Sequence, residues 1–224
     1  MTRVRFPLPA PISRFQPDFF MALSIHTPEW SAVAHRAKPV LLTGDSGVGK
    51  TFWLRVMAGL EAVPDGLRLC WDRQPMDAVR NQLRIRMHGD YWPPIWLAQT
   101  AAEELRLGLD KGPENLKHVL ARWRLSSLSW DTPVHELNRQ QAVRLSLAGI
   151  ELAQPDLVLI DNPTASLPLS CAREIQVQIL EFCRRLSCVM VVACNRWQDW
   201  PLEQMSIWVI RQAGQPPVER GEDE

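Results

Sequence analysis

LLTGDSGVGKTF, residues 41–52, is the stretch of this chain that decides its fold. It fits the phosphate-binding pattern GxxxxGK(S/T), which begins here at Gly44 and ends at Thr51. The apolar run PVLL at 39–42 comes directly before it, as a buried strand would, and an amphipathic stretch follows. Because strand, glycine-rich loop and helix occur together, we favour a phosphate-binding loop over a strand-to-helix turn without chemical function.

The loop has the chemistry that a triphosphate needs, since that ligand concentrates several negative charges. Glycine has no Cβ and adopts positive φ without a clash, so Gly44, Gly47 and Gly49 let backbone N–H groups surround the phosphates. Lys50 is expected to reach the β and γ phosphates and Thr51 to ligate Mg²⁺, at the positive dipole end of a helix. The predicted contact residues are Gly44, Asp45, Ser46, Gly47, Val48, Gly49, Lys50, Thr51 and Phe52.

A second strand supplies the acidic partner of this loop. The run 157–160, LVLI, is apolar on both faces, which is typical of an interior strand in a parallel sheet, and it ends in Asp161. Ligands of open α/β sheets bind at the carboxyl ends of the strands. We therefore expect Asp161 to reach the Mg²⁺ shell near Thr51 as a Walker B aspartate does; the alternative is a helix N-cap.

Apolar runs and apolar spacing predict the remaining elements. The predicted strands are 19–25, 39–42, 67–71, 157–160, 189–193 and 207–211, with an edge strand or two at most in 1–20. The predicted helices are 50–59, a segment from Met76 towards 85–88, 100–109 with a capping box of Thr100 and Glu103, 114–123, 133–153 and 171–186. A polar connection is expected at 27–38 and a loop at 89–96, and the tail from 212 is expected to be disordered.

Composition indicates a soluble cytoplasmic protein. The chain has 224 residues, enough for one large α/β domain, and 25 basic and 25 acidic side chains leave no net charge that would attract a nucleic acid. Five cysteines at irregular spacings read as reduced thiols of the cytoplasm. No run resembles a signal peptide or approaches the ~20 apolar residues of a spanning helix. Any membrane role is therefore expected to come through a partner.

The order of these features resembles the nucleotide-binding subunits of ATP-binding cassette (ABC) ATPases over nearly the whole chain. The likeness is strongest at 137–167, LNRQQAVRLSLAGIELAQPDLVLIDNPTASL, which aligns without a gap to that family's signature motif, helix and Walker B strand. The residues that fit the family pattern are Leu137, Gln141, Arg144, Ala148, Pro155, Asp156, Asp161, Pro163, Thr164 and Leu167. The segment 100–109 is similar to the one after the Q-loop in importers of the energy-coupling-factor type.

The resemblance implies an α/β fold with a P-loop NTPase core, in which helices flank a mixed, mostly parallel sheet. It also implies an inserted ABC-type helical subdomain and an N-terminal β region. The implied division gives the N-terminal β region and P-loop half 1–78, the helical subdomain 79–153, the Walker B half 154–212 and a disordered tail 213–224.

The chain departs from the family at residues that support hydrolysis. The glutamate that polarises the attacking water is replaced by Asn162, the switch histidine aligns with Asn195, and the D-loop aspartate with Pro168. The Q-loop glutamine position falls near His88 or Gly89. An amide can hold a water but cannot take its proton, so we expect general-base help worth about 10²–10⁴-fold to be missing.

The signature motif has also changed. In the family, Ser-Gly-Gly lets a helix N-terminus approach the γ-phosphate of ATP held by the opposite subunit. Here the bulkier side chains are expected to crowd that phosphate, and Arg139 is expected to offer it a compensating cation. The signature-like residues are Leu137, Asn138, Arg139, Gln140 and Gln141.

The resemblance implies an ATP-binding subunit that binds Mg-ATP through Lys50, Thr51 and Asp161. It is expected to form a homodimer, or a heterodimer with another ABC ATPase. Coupling of ATP binding and slow hydrolysis to an integral membrane partner would place it on the inner face of the plasma membrane. Two alternatives stay open: ATP is a regulatory or dimerisation ligand, or Asn162 and Asn195 belong to a working enzyme that positions water by other means.

Aromatic side chains complete the implied contacts. The family stacks adenine on an aromatic residue before the P-loop, and Phe6, Phe15 or Phe19 are the candidates here. The loop at 89–96, GDYWPPIW, lies where such subunits receive a coupling helix, and its aromatic residues are either a contact patch or packed filler. A soluble P-loop kinase or a DNA-repair ATPase is disfavoured by the signature-like helix and by the lack of a zinc pair or basic stripe.

Overall fold

Two β-sheets with helices packed on them make up residues 21–92, 94–107, 113–165 and 167–220, which the computed structural model describes. The strands are β1 Met21–His26, β2 Ser31–His35, β3 Val40–Thr43, β4 Arg68–Trp71, β5 Gln74–Pro75, β6 Ile85–His88, β7 Leu157–Asp161, β8 Val189–Ala193, β9 Ser206–Val209 and β10 Val218–Glu219. The helices are α1 Lys50–Ala58, α2 Met76–Val79, α3 Ala101–Arg106, α4 Pro113–Arg122, α5 Arg139–Leu152 and α6 Leu169–Leu186. Among these residues no helix combines the length and apolar character that crossing a bilayer requires.

The larger sheet carries the phosphate-binding loop near its centre. Its strand order is β10-β9-β3-β8-β7-β6, and every neighbouring pair except β10 with β9 is parallel. Every residue of β3, β7 and β8 is buried, which is the pattern of interior strands covered on both faces. The α/β class with a mixed, mostly parallel sheet flanked by helices is thus as predicted.

The smaller sheet is antiparallel, with the order β2-β1-β4-β5, and contains a strand that the sequence did not predict. β2 lies inside the expected connection at 27–38, so that expectation is wrong. Its apolar face is made by Ala32 and Ala34, which are fully buried, while Ser31 is exposed. Alanine gives only a weak apolar signal, and for that reason the alternation typical of a strand did not stand out.

Side chains of the larger sheet alternate between two apolar clusters, one on each face. Val40 and Leu42 belong to the cluster shared with α1 and the smaller sheet, whereas Leu41 between them joins the cluster made with α3 to α6. Leu159 and Ile160 of β7 divide in the same way. With both faces covered, the carboxyl edge of the sheet is the place where polar side chains from several strands can meet.

Helices α3, α4 and α5 form an insertion between β6 and β7, which are parallel neighbours in the sheet. The predicted capping box is present at α3, where Thr100 Oγ1 accepts from the backbone N–H of Glu103 and the Glu103 carboxylate accepts from that of Thr100. The helix predicted for 133–153 begins only at Arg139, because a 3₁₀ turn comes first and Asn138, in extended conformation, caps α5.

A buried carboxylate joins this insertion to α6. The Glu151 side chain is only 2% exposed and accepts hydrogen bonds from Arg122 Nε at 2.8 Å and Trp123 Nε1 at 2.7 Å. Arg185 Nη2 of α6 lies 2.8 Å from the same carboxylate. Because a buried charge is costly unless it is paired, this network holds α4, α5 and α6 together.

The chain between α1 and the insertion contains two short elements. Helix α2 begins at Met76 as predicted but ends at Val79, and a 3₁₀ turn at Arg80–Gln82 follows. Residues 85–88 form strand β6, for which the sequence analysis gave no strand. The loop predicted at 89–96 has no helix or strand among its described residues.

The tail is ordered as far as residue 220, so the expected disorder at 213–224 is wrong for most of that range. Strand β10 pairs with β9, and Trp53 Nε1 of α1 donates to the carbonyl oxygen of Gln215 at 3.0 Å. The polar, proline-containing composition misled the prediction because these contacts are made by backbone atoms, which composition does not reveal. Residues 221–224, like the edge strands expected in 1–20, lie outside the described residues.

Deleting residues 212–220 is expected to destabilise the protein, because the indole N–H of Trp53, which is 1% exposed, would lose its acceptor. A buried donor left without a partner costs about 1–3 kcal/mol of unfolding free energy. Urea unfolding of a chain truncated after Arg211 measures this loss. A chain truncated after Arg220 is the control, and equal unfolding midpoints of the two truncations would show that the tail contributes nothing.

Candidate nucleotide-binding site

The loop between β3 and α1 has a backbone that requires glycine at two positions. Gly44 has a φ of 146°, and a Cβ there would lie 2.6 Å from the carbonyl oxygen of Ile210. Gly49 has a φ of 106° and forms the N-cap of α1. The first N–H groups of a helix lack helical partners, so this sharp turn opens a backbone site for an anion at the start of α1.

Lys50 is folded into this loop. Its Nζ donates to the carbonyl oxygens of Gly44 and Asp45, both at 2.8 Å, and the residue is 8% exposed. Burial lowers the pKa of Lys50, while the charges of Cys194, Asp161 and Asp45 act in the opposite direction. Phosphate oxygens entering the loop could replace the two carbonyl oxygens as acceptors. They would also place a negative charge next to the buried ammonium group.

Thr51 and Asp161 are in direct contact across 110 positions of sequence. Thr51 Oγ1, in the first turn of α1, donates to Asp161 Oδ2 at the end of β7, with an oxygen-to-oxygen distance of 2.5 Å. Asp161 is 6% exposed. The structure therefore brings together the two side chains to which the sequence assigned the metal.

The donor atoms of Thr51 and Asp161 suit magnesium. Both present oxygen, the ligand that Mg²⁺ prefers, and the ion takes its remaining ligands from phosphates and water. Burial raises the pKa of Asp161, and the hydrogen bond from Thr51 partly offsets that effect. Because a neighbouring cation favours an ionised carboxylate, a metal here would stabilise the charge that burial disfavours.

Asn162, which the sequence analysis aligned with the family's glutamate, contacts an acid that the same analysis missed. Its Nδ2 donates to Asp90 Oδ2 at 2.9 Å, and its backbone N–H donates to the carbonyl oxygen of Ala193 at 2.8 Å. Asn162 has a φ of 46°, in the left-handed region where asparagine is enriched. Asp90 follows β6, and the rule that residues after neighbouring parallel strands converge would have indicated it only if 85–88 had been predicted as a strand.

Arg139, the central residue of the signature-like turn, faces its own chain. Its Nη2 lies 3.7 Å from Asp90 Oδ1, and its guanidinium carbon lies 5.1 Å from the centre of the Trp92 ring. Asn138 and Gln141 form a reciprocal cap, in which each side-chain oxygen accepts from the backbone N–H of the other. These two amides therefore support the start of α5. The expected contact of Arg139 with a phosphate of an opposite subunit stays a prediction.

The remaining signature-like residues make contacts within the same chain. Leu137 is buried in the core cluster with α3 to α6. The amide oxygen of Gln140 lies 3.0 Å from Arg144 Nη2 in the orientation that satisfies both groups. Arg144 also donates to Glu174 of α6 at 2.7 Å.

His88 is part of the interior. It ends β6, is 8% exposed, and its Nδ1 is 2.9 Å from Ser146 Oγ of α5. Burial lowers the pKa of His88 to about 4. Of the two residues expected near the Q-loop glutamine position, His88 thus links the sheet to the insertion as a neutral side chain.

Asn195, which the sequence analysis aligned with the switch histidine, lies beside the phosphate-binding loop. It is exposed, and it lines a cavity of about 660 Å³ together with Thr43, Gly44 and Ser46. Pro168, at the D-loop position, caps the start of α6. The adenine candidates Phe6, Phe15 and Phe19 lie outside the described residues.

Comparisons with known proteins find similarity to ATP-binding proteins of transport systems. A family model described as "ABC transporter" matches residues 30–165. The cytochrome c biogenesis ATP-binding export protein CcmA of Salmonella typhi is 32% identical over 132 residues, which cover 58% of this chain and 63% of CcmA. The chain therefore spans a little under two thirds of that relative.

Two solved structures share the fold. CbiO1 of Clostridium perfringens, described as part of the ABC transporter complex cbiONQ, has a TM-score of 0.75 at 20% identity and covers 89% of this chain and 88% of its own. A nucleotide-free ATP-binding cassette from an ABC transporter has a TM-score of 0.69 at 18% identity, with 91% and 92% covered.

Acid is expected to destabilise the protein through His88. Its pKa falls from an ordinary value near 6.5 to about 4 on folding, so between these values the unfolded chain binds more protons and stability falls as the pH falls. The contribution lost between pH 7.5 and pH 5 is on the order of 2 kcal/mol. Urea unfolding at both pH values measures it, and His88→Gln should reduce the difference between them. The exposed His118→Gln is the matched control, and an equal effect of both variants would contradict this origin.

Proposed function

Because the chain belongs to the ABC transporter family, we propose that it is the ATP-binding subunit of an ABC-type system and binds Mg-ATP at the loop 44–51. The contact of Thr51 with Asp161 carries this proposal, since it sets an oxygen pair for magnesium at the start of α1. Lys50 supports it as a cation held by carbonyl oxygens that a triphosphate can replace. The proposed subunit has Mg²⁺ as its cofactor and uses the free energy of ATP binding and of slow hydrolysis.

Dimerisation follows from the shape of such a site. One face of the triphosphate would lie on the loop 44–51, and the other would need the signature-like turn of a second subunit, either another copy or a different ABC ATPase. The relatives support a transport role, since one is named as an export protein and another as part of a transporter complex. We place the chain in the cytoplasm, at the inner face of the membrane that holds its partner.

The loop 89–97 is the proposed contact with an integral membrane partner. Tyr91, Ile95 and Leu97 are exposed by 62%, 77% and 79%, an unusual concentration of large apolar side chains on one loop. These three side chains, together with Trp96 and others, line a cavity of about 450 Å³. A helix of the partner could enter this groove with its apolar face, as amphipathic helices do elsewhere.

A second candidate function is a regulatory module in which ATP only drives dimerisation. Asn162 favours it, because an amide at that position cannot take a proton from water. The two candidates differ in turnover: the first requires measurable release of phosphate with Mg-ATP, and the second requires binding without it.

Lys50→Ala is expected to weaken Mg-ATP binding by about 10- to 100-fold, because a hydrogen bond to a charged group contributes about 1.5–3 kcal/mol. Titration calorimetry with Mg-ATP measures the affinity, and phosphate release measures turnover. The control is Lys38→Ala, which removes an exposed lysine before the opposite end of β3. Equal affinities of the two variants would contradict nucleotide binding at this loop.

Replacing Ile95 and Leu97 together by serine is expected to release the chain from the membrane fraction of its native cells, because the apolar contact with the partner is lost. These residues suit the test better than Trp96, which packs on the core and whose loss would disturb folding. The control is Val177→Ser, which changes an exposed apolar residue of α6. Unchanged membrane association of the double variant would argue against docking at this loop.

A further inference from the structure

Asp90 is an acidic side chain beside the proposed nucleotide site to which the preceding function gives no role. It lies two residues after β6, and Asn162 directly follows β7, its parallel neighbour in the sheet. Their side chains meet at 2.9 Å, with Asn162 Nδ2 donating to Asp90 Oδ2. A carboxylate is therefore present within one hydrogen bond of the side chain that replaces the family's glutamate.

We propose that Asp90 is the proton acceptor for the water that attacks the γ-phosphate, with Asn162 holding that water. This proposal rests on the proposed function and makes the chain a hydrolase whose base comes from the segment after β6. The role is divided between two side chains: the amide orients the water, and the carboxylate takes its proton.

Both side chains have acceptor atoms for such a water. Because Asn162 gives its Nδ2–H to Asp90, its Oδ1 is the atom that can accept a hydrogen bond from water. Asp90 Oδ1 is 3.7 Å from Arg139 Nη2, which is beyond hydrogen-bond length, and the Asp90 side chain is 37% exposed. A water between Asn162 Oδ1 and a carboxylate oxygen of Asp90 could thus give one hydrogen bond to each.

The charge of Asp90 also interacts electrostatically with a residue proposed to hold the metal. It contributes to the raised pKa of Asp161, the carboxylate that accepts from Thr51. Thr51 and Asp161 would hold the magnesium ion, which would supply positive charge to the reacting phosphate. Asp90 therefore belongs to the same electrostatic site as the phosphate that would react.

Other side chains at this edge are poorer proton acceptors. Asn162 and Asn195 are amides, and neither can hold an added proton at neutral pH. His88 is buried with its Nδ1 against Ser146, away from solvent. Asp161 is occupied by Thr51 and by its proposed metal.

The proposed step is hydrolysis of the bond between the β and γ phosphates of ATP. The water oxygen forms a bond to the γ-phosphorus, and the bond from that phosphorus to the bridging oxygen breaks, with its electron pair staying on ADP. The proton of the attacking water moves to the Asp90 carboxylate, which later releases it to solvent. The products are ADP and inorganic phosphate.

The test uses the full chain, with Mg-ATP as the substrate. Asp90→Asn keeps the shape of the side chain and an acceptor for Asn162 but is not a base, so kcat should fall by about 10²–10⁴-fold while affinity for Mg-ATP stays within about threefold. Nucleotide that remains bound after gel filtration should be ATP in this variant and ADP in the unchanged protein. Asp65→Asn, the same change at an exposed turn, is the matched control and should behave as the unchanged protein.

A rescue separates a catalytic role from a structural one. Adding Asn162→Glu to the Asp90→Asn variant supplies a carboxylate at the family's own position and should restore turnover. Equal turnover of Asp90→Asn and the unchanged protein would overturn the proposal, as would a matching loss of Mg-ATP affinity or a failed rescue. Unchanged protein that binds Mg-ATP without releasing phosphate would overturn the role of Asp90 alone, whereas absence of binding would overturn the proposed function as well.

Discussion

The hydrogen bond between Thr51 and Asp161 is the constraint on which the site depends. It joins the helix after the phosphate-binding loop to the end of β7, and so links two parts of the chain separated by 110 positions. The sheet makes the contact possible because β3, β8 and β7 are successive parallel neighbours whose carboxyl ends share one edge. The same edge of the sheet fixes the positions of Lys50, Asn162 and Asp90 relative to each other.

Much of this architecture could be predicted, because it depends on short sequence patterns. The loop from Gly44 to Thr51 has a backbone that glycine makes possible, and β7 is an uninterrupted apolar run that ends in Asp161. These features depend on residues adjacent in sequence. The resemblance to ABC ATPases added the expectation of a helical subdomain at 79–153; in the structure α3, α4 and α5 lie in the part of that range that follows β6.

The features that escaped prediction depend on distant partners or on weak signals. Strand β2 was not predicted because its apolar face consists of alanines. The tail was predicted to be disordered from its composition, but backbone pairing of β10 with β9 holds it in place. Asp90 was missed because its hydrogen-bond partner, Asn162, is 72 positions away in the sequence. The sequence analysis considered only the aromatic residues of the loop that contains Asp90. The start of α5 was placed too early because apolar spacing continued through a 3₁₀ turn.

Two asparagines combine a role in the backbone conformation with side-chain chemistry that differs from what the family pattern implies. Asn162 adopts a left-handed backbone conformation that few other side chains tolerate, and Asn138 supplies the oxygen that caps α5. Both therefore help to set the backbone conformation of this chain at the edge of the sheet and at the start of α5. What they give up is the carboxylate in one case and the small size of the signature residue in the other.

The Glu151 network gives α5 a fixed end. Arg122 of α4, Trp123 directly after it and Arg185 of α6 hold that carboxylate near the C-terminus of the 14-residue helix, while Arg139 stands at its beginning. With a rise of 1.5 Å per residue, the helix is a lever about 20 Å long. A tilt of about 10° around Glu151 would carry Arg139 through roughly 3 Å, given that length. A shift of that size would separate its guanidinium from Asp90 only if the contacts of Arg144 with Glu174 and of Ser146 with His88, in the same helix, also gave way.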